Sequence, residues 1–201
     1  MSASTLGTDV PQLSARAKVT GRAEYAGDVK FPGMLHGRVL RSPYPHARIV
    51  SIDTSAAKAL PGVKAVLTGE DSPAALWGVH HKERPTLAKG VVRFAGEEVV
   101  AVAAETDEIA RDALDLVRVA YEELPAILTP QEALDADAPT VHPGRENNVA
   151  HEIRFERGSV DEGFAQADLI HEESYSTHPQ YPGYLEPMAT VARLDAFGRL
   201  E

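Results

Sequence analysis

The sequence predicts an α/β (α+β) protein. In this fold class we expect a mixed sheet that is covered by helices. Three observations indicate this class. Glu97–Glu105 is a nearly continuous apolar run, as expected of a strand that is covered on both faces. From Ile109 onward the apolar residues recur at helical spacing, and Val117–Tyr121 then has the pattern of a second strand. Such a strand–helix–strand unit predicts a parallel or mixed sheet with a helix packed on it.

The elements before this unit are predicted from proline, glycine and capping residues. Residues 1–17 are rich in Ser, Thr, Ala and Gly and predict a flexible arm. Leu35–Ser42 and His46–Ile52 are predicted strands, separated by a turn that the prolines between them impose. The chain then predicts a short helix over about 55–60, a strand over Val63–Leu67 and a polar surface loop up to about 90.

The C-terminal part of the sequence predicts a linker and a second α/β domain. Residues 124–148 contain repeated prolines, which predict a wrapping linker with one short helix near Gln131–Asp135. After the linker we predict a strand over Val149–Glu156, a helix over Val160–Ala167, and strands over Asp168–Thr177 and Leu185–Leu194. The predicted organisation is therefore an arm at 1–17, a first domain at 18–123, a linker at 124–148 and the beginning of a second domain at 149–201. That second domain is expected to be incomplete.

Composition excludes several classes of function. With 20 basic and 30 acidic residues, the chain has a formal charge of -10, which argues against a nucleic-acid partner and against adsorption to anionic membranes. It contains no cysteine, so disulfides, thiolate catalysis and cysteine-ligated zinc or iron–sulfur clusters are excluded within it. No apolar run has the length of a signal-peptide core or of a membrane span. We therefore expect a cytoplasmic protein without membrane insertion.

Two groups of residues could bind ligands. His80, His81 and Glu83 invite a metal-site interpretation, but neighbouring residues on a strand face opposite ways and chelate poorly together, so a solvated loop is the favoured alternative. A basic cluster could hold a phosphate or a carboxylate, or could consist of outward-facing charges on a half-buried pair of strands. The cluster comprises His36, Arg38, Arg41, His46 and Arg48.

The stretch Thr177–Met188 has the composition of a pocket-lining loop. It combines polar and aromatic residues with prolines, and such loops on a rigid scaffold often line binding sites. A structural turn with Glu186 held by a backbone donor or a basic residue is the alternative. Elsewhere the sequence contains no Ser/His/Asp arrangement, no convincing carboxylate pair and no nucleotide-binding glycine pattern.

Four segments together resemble the large, molybdopterin-binding subunits of the xanthine dehydrogenase (molybdenum hydroxylase) family, and they follow in the family's order. The segments are KVTGRAEYAGDV at 18–29, LHGRVLRSPYPHARIVSIDTSAAKALPGVKAVLTGED at 35–71, VRFAGEEVVAVAAETDEIARDALDLVRVAYEELPAILTPQEAL at 92–134 and HPQYPGYLEPMATVARLD at 178–195. The resemblance implies an α/β hammerhead domain over 18–123, followed by the start of a molybdopterin-binding domain.

The resemblance also implies a function for the complete subunit. Members of the family hydroxylate, or reductively dehydroxylate, aromatic, heterocyclic or aldehyde substrates with a molybdenum–pterin cofactor. Electrons then pass to iron–sulfur clusters and FAD, which are expected on a small and a medium partner subunit. The family's segments that contact the cofactor and its catalytic glutamate follow the YLEP segment, so no catalytic, cofactor-binding or metal residue is assigned here, and the chain alone is expected to be inactive. His178, Gln180, Tyr184 and Glu186 are expected to be neighbours of the active-site funnel.

Two other functions remain open. A non-catalytic assembly or binding module could use the same fold. An independent small enzyme is less well supported, because no group of residues in the sequence has the composition of a complete active site.

Overall fold

The computed structural model describes residues 7, 9, 11–79 and 81–201. The chain forms two compact units: one is Gly33–Ala167, and the other combines the described part of Met1–Pro32 with Asp168–Glu201. In chain order the helices are α1 Ala15–Val19, α2 Ser55–Ala59, α3 Asp107–Leu116, α4 Pro130–Leu134 and α5 Val160–Ala165. The strands are β1 His36–Arg41, β2 Ala47–Asp53, β3 Val63–Thr68, β4 Val91–Val92, β5 Glu98–Ala104 and β6 Arg118–Glu123.

The strands of the larger unit form two three-stranded sheets, with the orders β1-β5-β3 and β4-β2-β6. The predicted α/β class is confirmed, but the prediction of a mixed sheet is wrong, because every strand pairing in the described chain is antiparallel. The strand–helix–strand unit exists as β5, α3 and β6, yet its two strands lie in different sheets. Since β1 and β3 already occupy both edges of β5, β6 pairs with β2 instead.

The core lies around β5 and α3. Val99 and Val100 on β5 are fully buried, as are Ala110 and Ala113 on α3. Burying one valine side chain contributes about 1.5–3 kcal/mol, so the buried valines of β5 contribute substantially to the stability of this unit. The helix begins where Thr106 Oγ1 accepts a hydrogen bond from the Ile109 backbone N–H at 3.2 Å. This N-cap satisfies one of the free donors of the first turn.

Most predicted elements up to residue 135 are present within a residue or two of their predicted ends. The predicted helix near Gln131–Asp135 is α4, in which Thr129 and Glu132 form a capping box. Three further elements were not predicted: α1, the 3₁₀ turn Ala26–Asp28 and the short strand β4. The predicted arm lies partly outside the described residues, and α1 begins within it.

The predictions after the linker are only partly confirmed. Helix α5 is present, but the predicted strands over 149–156, 168–177 and 185–194 are not formed and have no sheet partner in the described residues. The exception is a short turn at the end of the chain, where the Arg193 and Glu201 backbones exchange two hydrogen bonds. An alternating sequence forms a strand only when another strand accepts its hydrogen bonds, and here none does.

Residues 149–167 belong to the same compact unit as the two sheets. The sequence analysis instead began a second domain at residue 149. The predicted domain boundaries therefore stay a prediction. None of the helices that the structure describes is long and apolar enough to cross a membrane.

Candidate functional site

The segment Thr177–Met188 does not form a built site in the structure. His178, Gln180, Tyr184 and Glu186 are all exposed. Their side chains make no hydrogen bond or ion pair with the described part of the chain, and no backbone hydrogen bond in that part involves residues 168–192. The structure thus places these four residues along one exposed segment. Their predicted place beside an active-site funnel stays a prediction.

The metal-site interpretation of the two neighbouring histidines gains no support. His80 lies outside the described residues. His81 Nε2 lies 2.5 Å from the Ala150 carbonyl oxygen, and the Glu83 carboxylate accepts a hydrogen bond from Arg145 Nη2 at 3.2 Å. Among the described residues, no three His, Cys, Asp or Glu side chains are grouped so that they could hold a metal ion. The loop is therefore held by protein contacts.

The basic cluster is divided between the two sheets, and its arginines are paired with carboxylates. Arg38 donates two hydrogen bonds to Asp107, at 2.6 and 2.7 Å, and Arg41 lies 2.6 Å from Glu98. Arg48 in the other sheet lies 3.3 Å from a Glu122 oxygen. These pairs favour the alternative of outward-facing structural charges over a common anion site.

His36 and His46 complete the basic cluster, and neither adds to an anion site. His46 Nδ1 lies 2.6 Å from the Pro125 carbonyl oxygen, so it ties the start of β2 to the start of the linker. His36 is at the first position of β1, in the other sheet.

The larger unit contains a cavity of about 850 Å³ that the sequence did not predict. One wall is the loop between β3 and β4, and the other is the segment 142–149 of the linker region. We call this the loop–linker cavity. Its charged lining residues are Lys82, Glu83, Lys89, Arg93, Arg145 and Glu146, and His142 also lies in the wall.

Four polar contacts hold the linker wall to the rest of the unit. Glu83 pairs with Arg145, and His142 Nε2 lies 3.8 Å from the other oxygen of the same carboxylate. Arg93 Nε donates to the Val141 carbonyl oxygen at 3.3 Å. The fourth contact is the one between His81 and Ala150. Because these contacts join one end of segment 141–150 to Arg93, just after β4, and the other end to the loop, the cavity wall is formed by the fold itself.

Asn148 fixes the shape of the linker wall. Its Oδ1 accepts a hydrogen bond from the Val141 backbone N–H at 2.9 Å. Its Nδ2 donates to the carbonyl oxygens of Ala133 and Pro139, at 3.4 and 3.1 Å. One side chain therefore closes the chain from 133 to 148 on itself, so that this part of the predicted wrapping linker is a folded loop.

The charges that line the cavity are unequal. The lining contains four cationic side chains and two carboxylates. Lys89 is paired with Glu70 at 2.7 Å and Arg145 with Glu83, and the Arg93 backbone N–H donates to the buried Glu97 carboxylate at 2.5 Å. Lys82 has no carboxylate partner among the described residues. With Glu70 and Glu97, which lie behind the lining, the four cations are therefore matched by four carboxylates.

Comparison with known protein families gives two matches along the chain. Residues 20–125 match the a/b hammerhead domain of aldehyde oxidase and xanthine dehydrogenase. Residues 141–201 match the molybdopterin cofactor-binding domain. The first match contains both three-stranded sheets.

Similar proteins include two bacterial subunits. The chain is 43% identical over 178 residues to a probable xanthine dehydrogenase subunit of Bacillus subtilis, an alignment that covers 88% of this chain and 24% of that protein. It is 39% identical over 196 residues to the nicotinate dehydrogenase large molybdopterin subunit of Eubacterium barkeri, covering 97% of this chain and 46% of that protein. The chain thus spans between about a quarter and a half of the length of these relatives.

Solved structures give the same result. The aldehyde oxidoreductase from Desulfovibrio gigas superposes with a TM-score of 0.66 at 31% identity, covering 79% of this chain and 19% of that one. The CO dehydrogenase from Oligotropha carboxidovorans superposes with a TM-score of 0.61 at 42% identity, covering 66% of this chain and 17% of that one. The predicted resemblance is confirmed, and the chain belongs to the aldehyde oxidase and xanthine dehydrogenase family.

Proposed function

We propose that this chain is the N-terminal part of the molybdopterin-binding large subunit of a cytoplasmic molybdenum hydroxylase. The complete enzyme hydroxylates, or reductively dehydroxylates, an aromatic, heterocyclic or aldehyde substrate. The observation that carries this proposal is the order of the two family matches, with the hammerhead domain at 20–125 followed by the cofactor-binding domain at 141–201. In the complete subunit, this part positions the cofactor-binding region and docks the partner subunits.

The two compact units support this division of roles. The hammerhead part has its own core, whereas Asp168–Glu201 exposes large apolar side chains such as Tyr181, Leu185 and Met188. Exposed apolar residues at this density, in a segment without helix or strand, fit a region that is completed by further chain. The proposed partners are therefore the remainder of the large subunit, an iron–sulfur small subunit and an FAD-binding medium subunit.

The described residues do not fit the molybdenum–pterin cofactor by themselves. They contain no buried side-chain polar atom without a hydrogen-bond partner that could await a ligand. A Cβ added at Gly144, Gly158 or Gly183 would meet no atom within 4 Å, so these glycines do not form a cradle. We therefore assign no residue of this chain to cofactor binding, and we propose that the cofactor is held by the complete subunit.

A non-catalytic assembly module is the second candidate function. It is favoured by the same absence of a ligand cradle in the described residues, together with a hammerhead fold that is stable through its own core. Both functions predict that the isolated chain contains neither molybdenum nor pterin. They differ in what the chain does once it is combined with a cofactor-binding region.

Coexpression tests the proposal. The chain would be produced with the cofactor-binding region of the large subunit and with both partner subunits, in a bacterium that makes the molybdenum cofactor. We expect the purified complex to contain molybdenum and pterin and to oxidise at least one aldehyde or nitrogen heterocycle with an artificial electron acceptor. The isolated chain, purified in parallel, should contain neither.

The result of the coexpression experiment distinguishes the two candidate functions. A folded complex that includes this chain but contains no molybdenum and oxidises no substrate would contradict the hydroxylase and support the assembly module. Molybdenum and pterin in the isolated chain would contradict both proposals.

A further inference from the structure

We infer that one face of the sheet β1-β5-β3 is a docking surface, which the remainder of the large subunit covers with an apolar segment. The inference rests on the proposed function, because that remainder is one of the partners proposed above. Three observations carry it: the sequence of β5, the register of the three strands and the composition of the other sheet.

The sequence of β5 is that of a strand with both faces covered. Its run Val99–Ala104 contains no polar residue, whereas a strand with one face in water alternates apolar and polar residues. Val100 and Val102 are buried in the same core as Ala110 and Ala113 of α3, so the described chain supplies a cover on their side of the sheet. The side chains on the opposite side are the ones that need a second cover.

The strand register places two rows of three residues on this opposite side. Residues that lie directly opposite each other in antiparallel strands point to the same side of the sheet. The six residues, which we call the outer face, form the rows Val39–Ala101–Leu67 and Gly37–Ala103–Ala65. None of them carries a polar side chain, and Val39 and Leu67 are 37% and 46% exposed. The outer face is therefore an apolar surface in contact with water.

The other sheet shows how this chain builds a sheet face that stays in water. The exposed opposite pairs on β2 and β6 are Arg48–Glu122, Ser51–Ala120 and Asp53–Arg118. Two of these pairs combine opposite charges, and the third includes a hydroxyl. In a chain with 25% charged residues, the lack of any polar side chain on the outer face contrasts with this pattern. Depletion of charge is typical of the central part of an interface.

The size of the outer face indicates what covers it. Three strands about 4.8 Å apart, with two residues about 6.8 Å apart on each, give an area on the order of 200 Å². A separate subunit or a second copy of the chain needs about 800 Å² on each partner for a stable complex. Two parts of one polypeptide need less, because their linkage gives a high effective concentration. Alignments with this chain cover only 24% and 46% of the two bacterial relatives, so the proposed remainder of the subunit is long enough to supply the cover.

Cysteine labelling tests the inference, because the chain contains no cysteine of its own. Val39→Cys and Leu67→Cys introduce a thiol on the outer face. Val50→Cys introduces the matched thiol on β2, where Val50 is 61% exposed. Each variant is treated with iodoacetamide, both as the isolated 201-residue chain and within the complete large subunit coexpressed with both partner subunits. Mass spectrometry measures the labelling rate of the peptide that contains the new cysteine.

We expect all three thiols to react in the isolated chain. In the complete complex, the thiols at positions 39 and 67 should react about tenfold more slowly or less, because a covered thiol reacts only when the covering segment opens. The rate for Val50→Cys should change by less than about twofold, since the other sheet keeps its exposed face.

A photo-crosslink identifies the covering segment. Leu67→p-benzoylphenylalanine places a photoreactive group at the rim of the outer face, and the complete complex is irradiated and digested for mass spectrometry. We expect the crosslinked peptide to come from the part of the large subunit that follows this chain. A crosslink to the iron–sulfur or FAD subunit, or no crosslink to the large subunit, would overturn the inference.

The labelling results can overturn it as well. Unchanged rates at positions 39 and 67 in the complex, equal protection of all three thiols, or an unreactive thiol at 39 or 67 in the isolated chain would each do so. These results leave the proposed function standing, because the molybdenum and pterin content of the wild-type complex tests that function. Conversely, a complex that protects both thiols but contains no molybdenum would support the inference and contradict the hydroxylase.

Discussion

Residues 36–123 and residues 149–201 both contain stretches with the sequence pattern of strands, but they differ in burial. Val99 and Val100 on β5 are 0% exposed, whereas Ile153 and Leu185 are 83% and 101% exposed. The strand β5 is hydrogen-bonded along both edges, while residues 168–192 have no backbone hydrogen bond within the described chain. Apolar residues with a strand pattern are thus buried where partner strands are present, as on both edges of β5, and stay exposed where the described chain supplies none.

The largest expected difference between the two regions is the cost of truncating an apolar side chain. Val100→Ala should lower the free energy of unfolding by about 2–3 kcal/mol, because it removes buried carbon atoms and leaves a cavity. Leu185→Ala removes a larger group but should change stability by less than about 0.5 kcal/mol, because Leu185 is already in water. Urea unfolding followed by circular dichroism measures both. An equal cost at the two positions would mean that the later segment is packed in solution, and the comparison would fail.

Helix capping gives a smaller but better matched comparison. Thr106 caps α3 and Ser159 caps α5, and each side-chain oxygen accepts a backbone hydrogen bond at 3.2 Å. Helix α3 buries two alanines, whereas α5 buries no residue. Thr106→Ala should therefore cost about 1 kcal/mol of global stability, and Ser159→Ala less than about 0.5 kcal/mol, since α5 can open without disturbing the core.

Thermal unfolding of both capping variants measures this difference. Thr54→Ala is the control, because Thr54 precedes α2 without making a side-chain cap hydrogen bond. If Thr54→Ala were as destabilising as Thr106→Ala, the loss would come from the threonine side chain itself and not from the cap.

The sequence predicted the elements of the hammerhead part because their signals are local. The helical periodicity from Ile109 and the capping residue Thr106 both lie within α3 or next to it. The arrangement of the strands into two sheets has no such local signal, since it depends on which strand occupies each edge of β5. The residues that decide this pairing are distributed over β1, β3 and β6. The strand–helix–strand pattern, taken by itself, predicts a mixed sheet, which is wrong.

The loop–linker cavity could not be predicted for a related reason. Its walls come from a loop and a linker that the sequence presents as separate polar segments. Glu83 and Arg145 are 62 residues apart in the chain and meet only in the folded unit. Each segment contains histidine and opposite charges, which is the one available signal, but such residues are equally typical of solvated loops. By contrast, the family resemblance is confirmed, and it could be seen in the sequence because it depends on the order of long segments.

The smallest expected difference is in the response to acid. In the hammerhead part, hydrogen bonds from the Arg38 guanidinium lower the pKa of Asp107 below its usual value of about 3.9. A carboxylate with a depressed folded-state pKa stabilises the protein above its unfolded-state pKa, and this contribution is lost as the pH falls through the folded-state value. Arg38→Gln should therefore reduce the loss of stability between about pH 5 and about pH 3, mainly by lowering stability at the higher pH.

In residues 149–201, the variant that corresponds to Arg38→Gln is Arg199→Gln. The Arg199 side chain contacts Asp195, and the pKa of Asp195 is also lowered, first of all by the Arg199 backbone N–H, which the variant retains. Because Asp195 lies in the terminal turn, outside the hammerhead core, its titration should not alter global unfolding. Urea unfolding of the wild type and both variants at the two pH values tests this. If Arg199→Gln changed the pH dependence as much as Arg38→Gln, the terminal turn would be coupled to the hammerhead core, and the two regions would unfold as one.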